Sequence, residues 1–154
     1  MTYFKEWLQE TTNPQHVMLV DDSEMDRTII LRGSEEFNIE WTMTRSYEEA
    51  IRALAKQNNR KRFRLIVLDL NLQSSPDGVA LFRTIKETWP WIPVLVLSGH
   101  IDDRTITEMT KVGFVMFMKK PGNFDTRFFG ELFFALSIPK KAGTVENQNT
   151  IGNI

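Results

Sequence analysis

Four short stretches hold residues whose types suit a shared reaction: Asp21-Asp22, Asp69, Ser98-Gly99 and Lys119-Lys120-Pro121. Brought together, the aspartates would repel, since two unit charges about 4 Å apart at an effective dielectric near 20 oppose each other by about 4 kcal/mol. A cation resolves such a cluster. Hard divalent ions take oxygen ligands, and Mg²⁺ in particular is held by one or two carboxylates together with waters and phosphate oxygens. A lysine supplies a second positive charge, and a serine hydroxyl a hydrogen bond to an oxygen of the bound group. Nucleophile, metal and donors aimed at equatorial oxygens are the parts for placing a phosphoryl group on a carboxylate.

Taken singly, each piece is ordinary. An acidic pair after a strand is most often a solvated turn or a helix cap, and Ser98-Gly99 alone is loop chemistry. Their common position changes the reading, because each follows a short apolar run. Val17-Met18-Leu19-Val20, Leu65-Ile66-Val67-Leu68, Val94-Leu95-Val96-Leu97 and Phe114 to Met118 are too brief for helices and apolar throughout, which predicts strands covered on both faces. Ile39, Trp41 and Met43 alternate with Glu40, Thr42 and Thr44, which predicts a strand with one wet face at a sheet edge.

Helical patterns separate the runs. Ser46 and Glu49 have the spacing of a capping box, with Ala50, Ile51, Leu54 and Ala55 behind them. Ser23 with Met25, Ile29 and Ile30, Asp77 with Leu81, Phe82 and Ile85, and Asp103 with Ile106 and Met109 give three more helices opened by a capping side chain. A last helix spans about Asn123 to Leu136 and carries Phe124, Phe128, Phe129, Leu132 and Phe133, a wide core stripe or, on the sharper reading, a dimer or partner surface. Five strand–helix units in alternation predict an α/β fold with a doubly wound parallel sheet. In such a sheet ligands bind beyond the carboxyl ends of the strands, where all four polar stretches fall.

Composition narrows the chemistry. The 154 residues carry 19 basic and 20 acidic side chains, a net charge of −1, which argues against a protein that coats nucleic acid. No cysteine is present, so disulfides, thiolate zinc sites and thiol catalysis are excluded. His16 and His100 lack the spacing of a transition-metal site, and Met109, Met116 and Met118 read as packing residues. The run Arg60-Lys61-Arg62-Phe63-Arg64 precedes the third strand, at the end of the sheet away from the acids, and reads as a solvated loop. No apolar stretch is long enough to span a membrane and no export signal opens the sequence, so a cytoplasmic protein is expected. Residues 16–138 form the expected domain. Residues 1–15 are an extension in which Tyr3, Phe4, Trp7 and Leu8 could share one face of a short helix, and residues 139–154 read as a disordered tail.

Asp21-Asp22 after VMLV, Asp69 after LIVL, Ser98-Gly99 after VLVL and Lys120-Pro121 after FVMFMK resemble the phosphate-site pattern of response-regulator receiver domains of two-component signalling. The resemblance spans about residues 16–138. It implies a flavodoxin-like sheet with strand order 2-1-3-4-5, Mg²⁺ as cofactor, and Asp69 as the phosphoacceptor. It further implies metal binding by Asp22, Asp69 and the backbone carbonyl of Asn71, with Asp21 acting through a metal-bound water. Ser98 and Lys120 would hold phosphoryl oxygens. Lys120 is preferred to Lys119 because the family lysine directly precedes the proline and neighbouring strand residues face opposite ways. Phe117 would be the switch residue, and Asn71 and His100 would tune hydrolysis, His100 by contacting the attacking water unless it simply faces solvent.

The loop from Leu70 to Gly78 departs from that pattern, with Gln73 where the family usually has proline and one residue more before Asp77-Gly78. The leading expectation is a stand-alone receiver, a switch and not a multiple-turnover enzyme. It would be phosphorylated by a histidine kinase or phosphotransfer protein, and would act on a downstream protein through the face around the fourth helix, fifth strand and fifth helix, or through a homodimer. Neither nucleic acid nor membrane is an expected partner. Two rivals remain: a receiver-like scaffold that works without phosphorylation, and an aspartate-nucleophile phosphatase. The second is disfavoured because Asn71 stands where those enzymes place a second acid.

Overall fold

The computed structural model describes residues 14–73, 77–121, 126–135 and 138–141. Strands and helices alternate: β1 (Gln15–Val20), α1 (Glu24–Gly33), β2 (Ile39–Thr44), α2 (Tyr47–Ala55), β3 (Leu65–Leu68), α3 (Gly78–Thr88), β4 (Val94–Ser98), α4 (Asp103–Val112), β5 (Met116–Lys119) and α5 (Thr126–Ala135). The strands pair in parallel in the order β2-β1-β3-β4-β5, as the resemblance implied.

The two-residue period of a strand divides the apolar runs into two cores. Met18, Val20, Ile66, Leu68, Val94 and Val96 face one side, where Ala50 and Leu54 of α2, Leu81, Phe82 and Ile85 of α3 and Met109 of α4 cover them. Val17, Leu19, Leu65, Val67, Leu95 and Leu97 face the other, against Ile30 of α1 and Phe129, Leu132 and Phe133 of α5. Both layers are needed because β1, β3 and β4 have no polar face to offer water. Phe129 and Phe133 of α5 are therefore core, with Phe128 partly buried beside them: Phe133 packs 4.6 Å from Phe37, and Phe129 stacks on Phe133 at 6.2 Å. Gly33, the last residue of α1, lies close against Phe129, where a Cβ would overlap the edge of the ring.

Several local expectations need correction. β5 begins at Met116, and Phe114 lies before it, 70% exposed. β5 is itself an edge strand, so it is only partly covered. Met25 is likewise 70% exposed, because the buried stripe of α1 runs through Ile30 and the partly buried Ile29. α4 is capped by Asp102 and not Asp103, with the Thr105 amide donating to its carboxylate. In the Ser46 box the hydroxyl accepts from the Glu49 amide as expected, but Glu49 reaches one residue further back, to the amide of Arg45. Ordered chain continues past Ile138, since Asn38 donates to the Pro139 carbonyl and Lys141 to that of Glu36. The proposed helix of residues 2–10, the helix start at Asn123 and Phe124, and residues 142–154 lie outside the described residues.

Gly78 opens α3 under the third strand's exit. A Cβ there would stand 2.6 Å from both the Asp69 carbonyl oxygen and the Leu70 Cα. Gly-to-Ala inside a helix ordinarily stabilises by about 1 kcal/mol, but a collision with backbone costs about 1–3 kcal/mol and wins here. Gly78→Ala should therefore lower the melting temperature by roughly 2–8 °C; an unchanged or higher value in a thermal melt would contradict the close approach.

Candidate functional site

Backbone bonds carry each ladder one residue beyond its strand and bring the polar stretches to one edge. The Asp21 amide donates to Thr44 O at 3.0 Å, that of Asp69 to Val20 O at 2.9 Å and that of Lys120 to Ser98 O at 2.9 Å. Asp21, Asp69 and Ser98 are buried there. The Lys120 ammonium donates to Asp21 Oδ2 at 2.8 Å, Asp69 Oδ2 at 2.9 Å and Asp26 Oδ2 at 2.8 Å. Lys119 is exposed and makes none of these contacts.

The rest of the Asp69 carboxylate is equally occupied. Its Oδ1 accepts from the Ser98 hydroxyl at 3.0 Å and from the Asn71 amide at 3.0 Å, while the Asn71 side-chain amide donates to Ser98 Oγ at 3.3 Å. Asp22 lies more open to solvent and accepts at Oδ2 from the Gln73 amide, 2.8 Å away. A proline at that loop position would have no N–H to give, so the departure at Gln73 ties the loop after β3 to the end of β1. Phe117 is partly buried against the α2/α3/α4 core, and His100 is exposed two residues past Ser98.

Charge dominates the site. Burial pushes the Asp21 carboxyl up, and this outweighs the hydrogen bonds from Lys120 and the Ser23 amide that favour its ionised form. Burial alone would depress Lys120, yet its bonds to Asp21, Asp26 and Asp69 outweigh that and hold the ammonium well above the usual lysine range. The lysine collects three attractions that together exceed its burial penalty, whereas Asp21 receives one shared ammonium and its own burial wins. One oxygen from each of Asp21, Asp22 and Asp69 lies within 4.8 Å of the others. At an effective dielectric near 20, each like-charged pair at that spacing is opposed by about 3 kcal/mol. Asp21, Asp22 and Asp69 offer oxygen donors that fit a hard divalent cation, while Asp26 adds a fourth carboxylate against the single ammonium.

Asp26 was not among the residues expected in the site. Its spacing after Ser23 predicts a capping box in which the carboxylate turns back to the Ser23 amide. The Ser23 hydroxyl does accept from the Asp26 amide at 3.2 Å, but the Ser23 amide donates to Asp21 Oδ1 at 2.9 Å. Asp21 thereby takes over the reciprocal half of the cap and leaves the Asp26 carboxylate to Lys120. Arg27 is a second addition, donating to the Asp21 carbonyl at 2.8 Å.

The comparisons agree with one another. The family described as the response regulator receiver domain matches residues 17–127. The nitrogen assimilation regulatory protein NtrX of Azorhizobium caulinodans is 37% identical over 111 residues, covering 71% of this chain and 24% of that protein. The phosphorylated cyanobacterial phytochrome response regulator RcpA superposes with a TM-score of 0.70 at 28% identity, covering 82% of this chain and 99% of that one. The Mn²⁺-bound response regulator Rcp1 gives 0.67 at 25% identity, with 80% and 93% covered. The chain spans about a quarter of the length of the curated relatives it matches. Among the described residues no helix is long and apolar enough to cross a membrane.

Removing the shared cation should expose the strain. Lys120→Met leaves Asp21 and Asp69 buried without their ammonium, at a cost of about 3 kcal/mol at pH 7 in urea denaturation. Because the folded-state pKa of Asp21 is raised, ionised Asp21 burdens the folded state above that value, and the burden fades as pH falls toward 3.8. The deficit of Lys120→Met should therefore shrink between pH 7 and about pH 4.5; a deficit that stays constant would contradict the charge account.

Proposed function

The chain belongs to the response-regulator receiver domain family, and from that premise we propose that Asp69 accepts a phosphoryl group from a histidine kinase or phosphotransfer protein, with Mg²⁺, and that this switches the binding of a downstream protein. The convergence of Lys120 on Asp21 and Asp69 is the observation that carries the reading. An Asp69 carboxylate oxygen attacks phosphorus in line; the new P–O bond forms as the P–N bond to the donor imidazole breaks, and the ring, protonated on its other nitrogen, takes the bonding pair and leaves as neutral imidazole. When bound, a divalent cation neutralises charge on the transferring oxygens. Asp22 and Asp69 would hold it with the Asn71 carbonyl, and Asp21 through water.

The chain's own groups supply the rest. Lys120 already points a hydrogen at Asp69 Oδ2, so a phosphoryl oxygen there needs only a short shift of that donor. Ser98 exchanges its bond to Asp69 Oδ1 for one to a phosphoryl oxygen. Phe117 follows inward, carrying the change to the surface of α4, β5 and α5; having no hydroxyl, it does so by packing alone. His100 and Asn71 are both exposed, and in this reading they would tune the lifetime of the phosphoryl group, His100 by contacting the attacking water unless it simply faces solvent. The reading is of a cytoplasmic switch and not of a turnover enzyme, since the acid that would serve a leaving group is replaced by Asn71.

With Mg²⁺ and acetyl phosphate, the chain should gain one acid-stable, base-labile phosphoryl group, and Asp69→Asn or a metal chelator should abolish it. Labelling that persists in Asp69→Asn would sink the assignment. Mg²⁺ at ten times its Kd should stabilise the wild type by about 1.4 kcal/mol; thermal melts of Asp22→Asn should show a clearly smaller shift, and equal shifts would remove Asp22 from the metal site.

A further inference from the structure

Lys120 is the only lysine that reaches the acidic cluster among the described residues, and one of its three partners, Asp26, lies outside the phosphate-site pattern. An ammonium has three hydrogens. Here they go to Asp21, Asp26 and Asp69, at 2.8, 2.8 and 2.9 Å. Asp69 is the acceptor that phosphorylation changes. Asp21 and Asp26 both belong to the β1–α1 segment, and they alone can hold the lysine while Asp69 reacts.

Asp26 is well placed to be the second anchor. It sits in the first turn of α1, where the Ser23 hydroxyl fixes its backbone amide. Its carboxylate is released from capping because Asp21 Oδ1 accepts the Ser23 amide in its stead. It also stands apart from the oxygens that could surround a cation, a group made of Asp21, Asp22 and Asp69. With one acceptor an ammonium can rotate about the N···O line; with two fixed acceptors its third hydrogen has one direction, which here is toward Asp69 Oδ2.

We propose that Asp26 is a positioning residue for phosphoryl transfer: together with Asp21 it fixes the Lys120 ammonium so that the remaining hydrogen is aimed at the oxygens gathered on Asp69. The inference rests on the functional reading above. Its role is that of a hydrogen-bond acceptor, so an uncharged oxygen at the same place should serve nearly as well. No bond of Asp26 is made or broken in the reaction; misdirection of a donor in a site of this kind is enough to slow transfer by tenfold or more.

The test compares wild type, Asp26→Ala and Asp26→Asn for initial rate of labelling by acetyl phosphate across a Mg²⁺ titration. Asp26→Ala should be about tenfold slower at saturating Mg²⁺, with its Mg²⁺ midpoint within about twofold of wild type because no metal ligand has been touched. Asp26→Asn, which retains an oxygen acceptor, should stay within about threefold of wild type. An Asp26→Ala that keeps pace with the wild type overturns the inference. So does an Asp26→Asn as slow as Asp26→Ala, or a loss explained wholly by a shifted Mg²⁺ midpoint. If Asp26→Ala does not fold, Asp26→Leu takes its place, and an Asp26→Leu that keeps pace with the wild type overturns the inference. A wild type that takes no label overturns the functional reading itself, a result distinct from a labelled wild type matched by its Asp26→Ala variant.

Discussion

A lysine ammonium can make three hydrogen bonds, and Lys120 directs all of them at aspartates drawn from two strand ends and the first turn of a helix. Without that cation, Asp21 and Asp69 would sit buried with only neutral donors to answer them. The remaining geometry of the site follows from this need. β5 must lie beside β4 so that Lys120 can leave the sheet next to Ser98, and β1 must lie beside β3 so that Asp21 and Asp69 leave it together. A parallel sheet provides both, because all its carboxyl ends point the same way.

The pattern of apolar runs made the sheet legible. A four-residue block such as LIVL has no polar face and so belongs inside a sheet, and the alternation in β2 marks an edge. Less legible was the second edge, since the run from Phe114 to Met118 is as apolar as the central blocks and only its place beside β4 alone leaves β5 partly covered. Helix starts followed from capping side chains, with the exchange of Asp103 for Asp102 showing that two adjacent aspartates compete for one cap. Strand order was not contained in the pattern and came from the family resemblance.

At the site, sequence identified residues by type and position but not how they share one another's charges. Asp21, Asp69, Ser98 and Lys120 each follow an apolar run, and such a signal is strong when repeated four times. Asp26 gave no signal of that kind. Its spacing matched a helix cap, and the decisive fact, that Asp21 takes the Ser23 amide instead, exists only once β1 and α1 are folded against each other. The bond from Gln73 to Asp22 was hidden for a similar reason: a missing proline reads as the loss of rigidity, whereas the amide it restores ties the loop down.

Asp21 and Lys120 are separated by 99 positions along the chain, and Asp69 and Lys120 by 51. Contacts of such span carry a large loop-closure entropy and slow the search for the native topology. Any folding route that joins β1 to β3 before β5 docks must gather the aspartates ahead of their counter-ion, so dissolved salt, by screening that encounter, acts on the kinetics of assembly as well as on the finished molecule.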